Sequence, residues 1–166
     1  WCRNGIDRFI MARLDSAGLK PAEEVGRLSL LRRATFDLTG LPPSSAQQER
    51  FLADQAPGAY ERAIDRLLDS PHYGERWGRH WLDVVRYAET NGFERDGMKP
   101  EVWRYRDWVI DSLNADMPYD RFILEQLAGD ELEDRTASSV AATGMHRLGL
   151  WDDEPTDVPQ AIADDL

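Results

Sequence analysis

Residues 70–88 read Ser70-Pro71-His72-Tyr73-Gly74-Glu75-Arg76-Trp77-Gly78-Arg79-His80-Trp81-Leu82-Asp83-Val84-Val85-Arg86-Tyr87-Ala88, and their spacing decides the fold. At about 100° per residue, Tyr73, Trp77, Trp81, Val84 and Ala88 fall on one helical face. Arg76, His80, Asp83 and Tyr87 fall on the neighbouring face. Ser70 and Pro71 mark the start, because proline suits a first helical turn whose N–H groups have no intrahelical partner. The spacing therefore predicts a helix from Pro71 to about Ala88. Its apolar stripe should be packed and its polar stripe should lie at the edge of a core.

Outward from this segment the apolar spacing stays helical, with no sustained period of two that would signal strands. Turn signals fall at Gly18, Gly40-Leu41-Pro42-Pro43, Pro57-Gly58, Ser70-Pro71, Asn91 to Pro100 and Met117-Pro118. Between them the pattern predicts a helix from about Ile6 to Ala17, entered from Asn4 and closed by Gly18. Others follow over about Leu28–Leu38, from Ser44 or Ser45 to Ala53, Ala59–Leu68, Glu101–Asn114, Asp120–Leu127 and Ser138–Leu148. Ser45 with Gln48 fits a capping box. In the first helix Ile6, Phe9, Ile10, Leu14 and Ala17 form the stripe to be packed, with Arg13 in its middle. In the sixth, Val102, Val109, Ile110 and Leu113 form the apolar face and Arg106 lies within it. The expected architecture is all-α: an irregular array of about seven to eight helices with an acidic, partly irregular C-terminal tail, in a single helical domain over residues 1–166.

Composition narrows the function. Hydrophobic residues make up 42% and charged residues 31%, a globular balance, and no apolar run approaches the roughly 18 residues of a membrane span. The net charge of −11 comes wholly from the half after Thr90, where 7 basic residues face 18 acidic ones. A phosphate backbone needs a basic face, so nucleic acid is a poor partner. The single cysteine, Cys2, excludes an internal disulfide, a redox pair, a multi-cysteine metal cluster and covalent c-type haem in this segment. Only Lys20 and Lys99 among the 20 basic residues are lysines, and arginine's planar fork suits carboxylate pairing beside tryptophans.

Chemistry concentrates between His72 and Trp108, which hold four of the six tryptophans and two of the three histidines. Arg13 and Arg106, fixed cations within apolar stripes, should each reach a carboxylate, with Asp37, Asp83 and Asp107 as acceptors. They would then be clamps between helices. The rival reading is a polar pocket built from His80, Asp83, Arg76, Tyr87, Arg104 and Arg106. There His80 would act as base or ligand, Asp83 would orient it, and Arg76 or Arg104 would hold an anion. The loop from Glu89 to Gly97 gathers oxygen donors, with Glu89, Asn91, Glu94 and Asp96 as candidate cation ligands, although its spacing is not that of an EF-hand. A surface turn is the other reading of this loop, as it is of Asp130-Glu131 and Asp152-Asp153-Glu154. No nucleophile elbow, phosphate-binding loop, zinc-protease helix or dinucleotide fingerprint is present.

Several strings together carry a family resemblance. They include Ile6-Asp7-Arg8-Phe9-Ile10, Thr35-Phe36-Asp37-Leu38-Thr39-Gly40-Leu41-Pro42-Pro43 and Ser70-Pro71-His72-Tyr73-Gly74-Glu75-Arg76-Trp77. His80-Trp81-Leu82-Asp83, Arg86-Tyr87-Ala88 and Trp103-Arg104-Tyr105-Arg106-Asp107 continue the set. Pro118-Tyr119-Asp120-Arg121-Phe122 and Gln126-Leu127-Ala128-Gly129-Asp130 complete it. In this order they resemble the Planctomycete cytochrome C family, specifically its PSCyt-type domain of unknown function. The resemblance implies a part of a larger exported protein, periplasmic or secreted, whose partners are downstream domains of the same polypeptide. In that family Trp151 to Pro155 and the acidic run beyond lead towards a Cys-x-x-Cys-His motif. This chain ends at Leu166 before any such motif, so no cofactor is expected in it and c-type haem belongs to the parent downstream. The resemblance transfers no catalytic residue. Three functions stay open: a helical scaffold or interaction module of a redox-associated protein, a hydrolase centred on His80, and a glycan-binding module that uses exposed tryptophans.

Overall fold

A computed structural model of the chain describes residues 2–92, 96–150 and 159. Within these residues the fold is all-α, and the nearest thing to a strand is one isolated antiparallel bridge between Thr90 and Met98. Eight α-helices follow one another: α1 Gly5–Ser16, α2 Arg27–Thr39, α3 Ser45–Ala53, α4 Ala59–Leu68, α5 Pro71–Val84, α6 Trp103–Asn114, α7 Tyr119–Ala128 and α8 Ala137–Ala142. A 3₁₀ turn over Thr143–Arg147 continues α8, where a single longer helix to Leu148 was expected. The acidic tail, including Trp151 and Asp152-Asp153-Glu154, lies outside the described residues, as does Glu94.

Local chemistry sets the helix ends. Asn4 opens α1 by accepting from the Asp7 amide at 3.0 Å, while the Asp7 carboxylate accepts from the Asn4 amide at 3.1 Å. The box at α3 is built from Ser44 and Gln47, one residue earlier than the Ser45–Gln48 pair expected. Ser44 itself takes the extended cap conformation, at ψ 161°, and Ser45 is the first helical residue. Thr136 and Ser139 form a third box on α8.

Helix α5 stops at Val84, four residues short of Ala88. Arg86 takes a left-handed φ of 56°, its amide donates to Asp83 O, and the Tyr87 amide reaches back to Leu82 O at 2.9 Å. This is a Schellman closure with arginine in the place glycine usually takes. Asp116, at φ 49°, closes α6 in the same way. Gly18 does so for α1, as expected.

Two apolar clusters hold the array. Leu31, Phe51, Ala59 and Ala63 join α2, α3 and α4. Arg27 fastens this group: its ring-facing guanidinium lies 4.5 Å from the Phe51 centroid and donates to the carbonyls of Phe51 and Asp54. Tyr105, Trp108, Val109, Phe122, Ala142 and Leu148 form the second cluster, with Trp81, Leu82 and Val85 packed against it. Trp108 stacks on Phe122 at 4.9 Å, and Trp81 meets the same ring edge-on at 5.0 Å.

The face that α5 turns to α6 differs from the stripe expected. Trp77 and Val84 are 40% and 71% exposed. Gly74 and Gly78, both buried, take the contact instead. A Cβ on Gly74 would lie 2.4 Å from Ile110 O, and one on Gly78 would touch Ile110 and Val109. Two glycines one turn apart let the backbones approach more closely than tryptophans would allow. Helix α1 departs further from expectation, because it buries no residue at all.

Candidate functional site

The polar residues of the centre do not converge on one pocket. Tyr87 and Arg106 do meet, through Glu89. The Tyr87 hydroxyl donates to Glu89 Oε1 at 3.0 Å, and Arg106 Nη1 donates to the same oxygen at 3.0 Å. Arg106 also grips Asp107 Oδ1 through Nε and Nη2 at 3.1 and 3.0 Å. Asp107 is thus the carboxylate expected for Arg106, and Glu89 is a second one. Burial and then the Glu89 carboxylate push the Tyr87 hydroxyl up to about 12. Burial opposes the Arg106 charge, but Asp107, Tyr87 and Glu89 outweigh it and raise its pKa.

The other candidates lie apart from this quartet. Arg76 lies beneath the end of α2, its Cδ placed 3.1 Å from where a Gly40 Cβ would be, with a buried Nε that has no hydrogen-bond partner. Arg104 pairs with Glu101 and covers the Trp103 ring at 5.1 Å. His80 and Asp83 are exposed on α5, and no hydrogen bond joins them. The His80 ring rests 5.2 Å from Trp77, which in turn lies 6.2 Å from Tyr73. Arg13 is exposed and has no ion pair among the described residues, contrary to its expected carboxylate. Its stripe faces solvent, so nothing compels it to pair.

The loop of candidate cation ligands is held by its own hydrogen bonds. Asn91 N donates to Gly97 O at 2.9 Å and Lys99 N to Glu89 O at 2.8 Å. Asp96 accepts from Gly92 N at 2.8 Å, with Gly92 at φ 80°, and the Thr90 hydroxyl and that amide together lower its pKa. Glu89 is engaged by Tyr87 and Arg106. No group of three or more His, Cys, Asp or Glu side chains among the described residues is placed to share a cation.

Helical spacing gives no sign of Gln126, a polar side chain only 1% exposed. Gln126 Oε1 accepts from Tyr105 Oη and, at 2.8 Å, from Trp81 Nε1, while its Nε2 donates to Phe122 O at 3.0 Å. Beside it Glu125 accepts from Trp108 Nε1 at 3.2 Å and from Arg121 Nε at 2.7 Å. Burial raises the Tyr105 hydroxyl to about 12. One amide and one carboxylate thus tie α5, α6 and α7 together. Two clefts among the described residues, of about 270 and about 200 Å³, both border α2 and α3. Neither is lined by Arg76, His80, Asp83, Tyr87, Arg104 or Arg106.

Fold and site together define a helical-array domain whose polar side chains lock helices to one another. The PSCyt2 family model, described as a protein of unknown function (DUF1549), matches residues 5–165, and the chain belongs to that family. This is the Planctomycete cytochrome C-associated domain that the sequence strings resemble. No curated protein and no solved structure matches the chain. No helix among the described residues is long and apolar enough to cross a membrane.

Proposed function

We propose that this domain is a helical scaffold and interaction module of an exported, cytochrome-associated protein, and that any redox chemistry belongs to other parts of that polypeptide. One observation carries the reading: the residues with chemical potential are spent on clamps or stand apart, and the clefts lie elsewhere. A hydrolytic site centred on His80 would need its polar groups to converge on one reacting atom. Here Tyr87, Glu89, Arg106 and Asp107 satisfy one another, and His80 has neither an orienting partner nor an enclosing wall. Meanwhile Phe9, Trp77, Trp103 and Leu127 stay accessible, as contact surfaces do. The family's cytochrome association supports a periplasmic or secreted location and a c-type haem elsewhere in the parent polypeptide as parts of the same reading.

The reading is tested by visible absorption spectra of the parent protein, matured in an export-competent host, beside this chain. A c-type haem spectrum in the parent and none in the chain supports a scaffold beside a redox centre. Absence of haem from the parent would remove the redox association and reopen the enzymatic reading of His80.

A further inference from the structure

Helix α1 is an amphipathic helix without a partner. Ile6, Phe9 and Ile10 lie on one face at helical spacing and are 72%, 81% and 49% exposed. The helix makes no extensive contact with any other. A helix of this length is marginal in water without packing, so its apolar face calls for cover. Arg13 sits in the middle of that face without a carboxylate.

Helix α7 offers the converse surface. Leu124 and Leu127 are 45% and 58% exposed, and Asp120 shares their face at steps of four and three. Asp120 forms no ion pair among the described residues; its carboxylate accepts only from the next amide, Arg121 N, at 2.9 Å. Charge follows the same division. From Arg3 to Lys20 there are four basic residues against two acidic, and from Asp120 to Asp134 six acidic against one basic. Each apolar stripe therefore carries one unpaired charge, Arg13 within the first and Asp120 at the N-terminal end of the second, of opposite sign to the other and within surroundings of that same sign.

We propose that α1 of one copy packs on α7 of a second copy, with Arg13 against Asp120, and that the two copies exchange these contacts reciprocally. A two-fold arrangement closes both surfaces at once and leaves no open end. The Arg13–Asp120 pair sets the register, and the leucines and Phe9 supply the buried area. A net charge of −11 disfavours an anionic membrane as the cover. The proposal is independent of any haem in the parent.

Sedimentation velocity of the chain over roughly two decades of concentration tests this, because mass action sets the dimer fraction. The expected result is a reversible dimer. Phe9→Asp should give a monomer with an unchanged circular-dichroism spectrum and melting curve at dilutions where the wild type is monomeric. Arg13→Glu or Asp120→Arg alone should weaken the dimer on the order of tenfold or more. Mixing the Arg13→Glu chain with the Asp120→Arg chain should restore association, since both exchanged pairs are again opposite in charge. A wild type that stays monomeric throughout, a dimer that survives Phe9→Asp, or a mixture no tighter than its components would overturn the proposal.

Discussion

Tyr105 and Tyr87 show how single residues in this chain are tuned by packing. Burial holds the Tyr105 hydroxyl neutral, and burial with the Glu89 carboxylate does the same for Tyr87, each up to about 12 from an ordinary 10.0. A raised tyrosine pKa means the folded state favours the protonated form. Its contribution to stability is therefore complete below about pH 10 and is lost as pH rises towards 12. Absorbance titration of phenolate should show two late ionisations at about 12, and Tyr105→Phe should delete one. Arg106 was legible as a clamp because a fixed cation in an apolar stripe must find a carboxylate. Gln126 was not, because a neutral amide in a helical pattern gives no sign that it will be buried. Only the convergence of Trp81 and Tyr105 upon it reveals its role.

Among the elements, the helices were legible and the faces less so. Periodicity and caps placed the starts of the eight described helices within about two residues, because Asn4, Gly18, Gly40 and Ser70-Pro71 carry explicit stop and start chemistry, while the ends of α5 and α8 fall well short of those expected. The end of α5 escaped notice because its closure uses Arg86 in a left-handed conformation, with no glycine to announce it. Its packed face escaped because hydrophobicity points to Trp77, whereas the contact with α6 runs over Gly74 and Gly78. Glycine inside an exposed helix costs about 1 kcal/mol relative to alanine, so Gly74→Ala would ordinarily stabilise. Here the new Cβ would meet Ile110 O and Asn114, and the sign should reverse to a loss of about 1–3 kcal/mol. Denaturant unfolding of Gly74→Ala measures this directly; a stabilised variant would mean α5 and α6 lie further apart than described.

Across the described residues, several polar side chains join neighbouring elements while part of the apolar surface stays exposed. The quartet around Glu89 joins the segment after α5 to α6, the Arg121–Glu125–Trp108 chain joins α7 to α6, and the Gln126 network joins α5, α6 and α7. The −11 charge and the all-α class could be read from the sequence, since both are sums over many residues. The distribution of His80, Asp83, Arg76 and Arg104 among different neighbours could not, because a shared helical face says nothing about what lies opposite. The buried amide of Gln126, and not His80, holds this region together. Thermal unfolding of Gln126→Leu and His80→Ala, measured side by side, tests it most directly. Gln126→Leu strands the Tyr105 hydroxyl proton, leaves Trp81 Nε1 only the Tyr105 oxygen at 3.0 Å, and should cost about 1–3 kcal/mol, whereas His80→Ala, on an exposed face, should stay within about 0.5 kcal/mol of wild type. A His80→Ala variant as unstable as Gln126→Leu, or a Gln126→Leu variant as stable as wild type, would contradict the account.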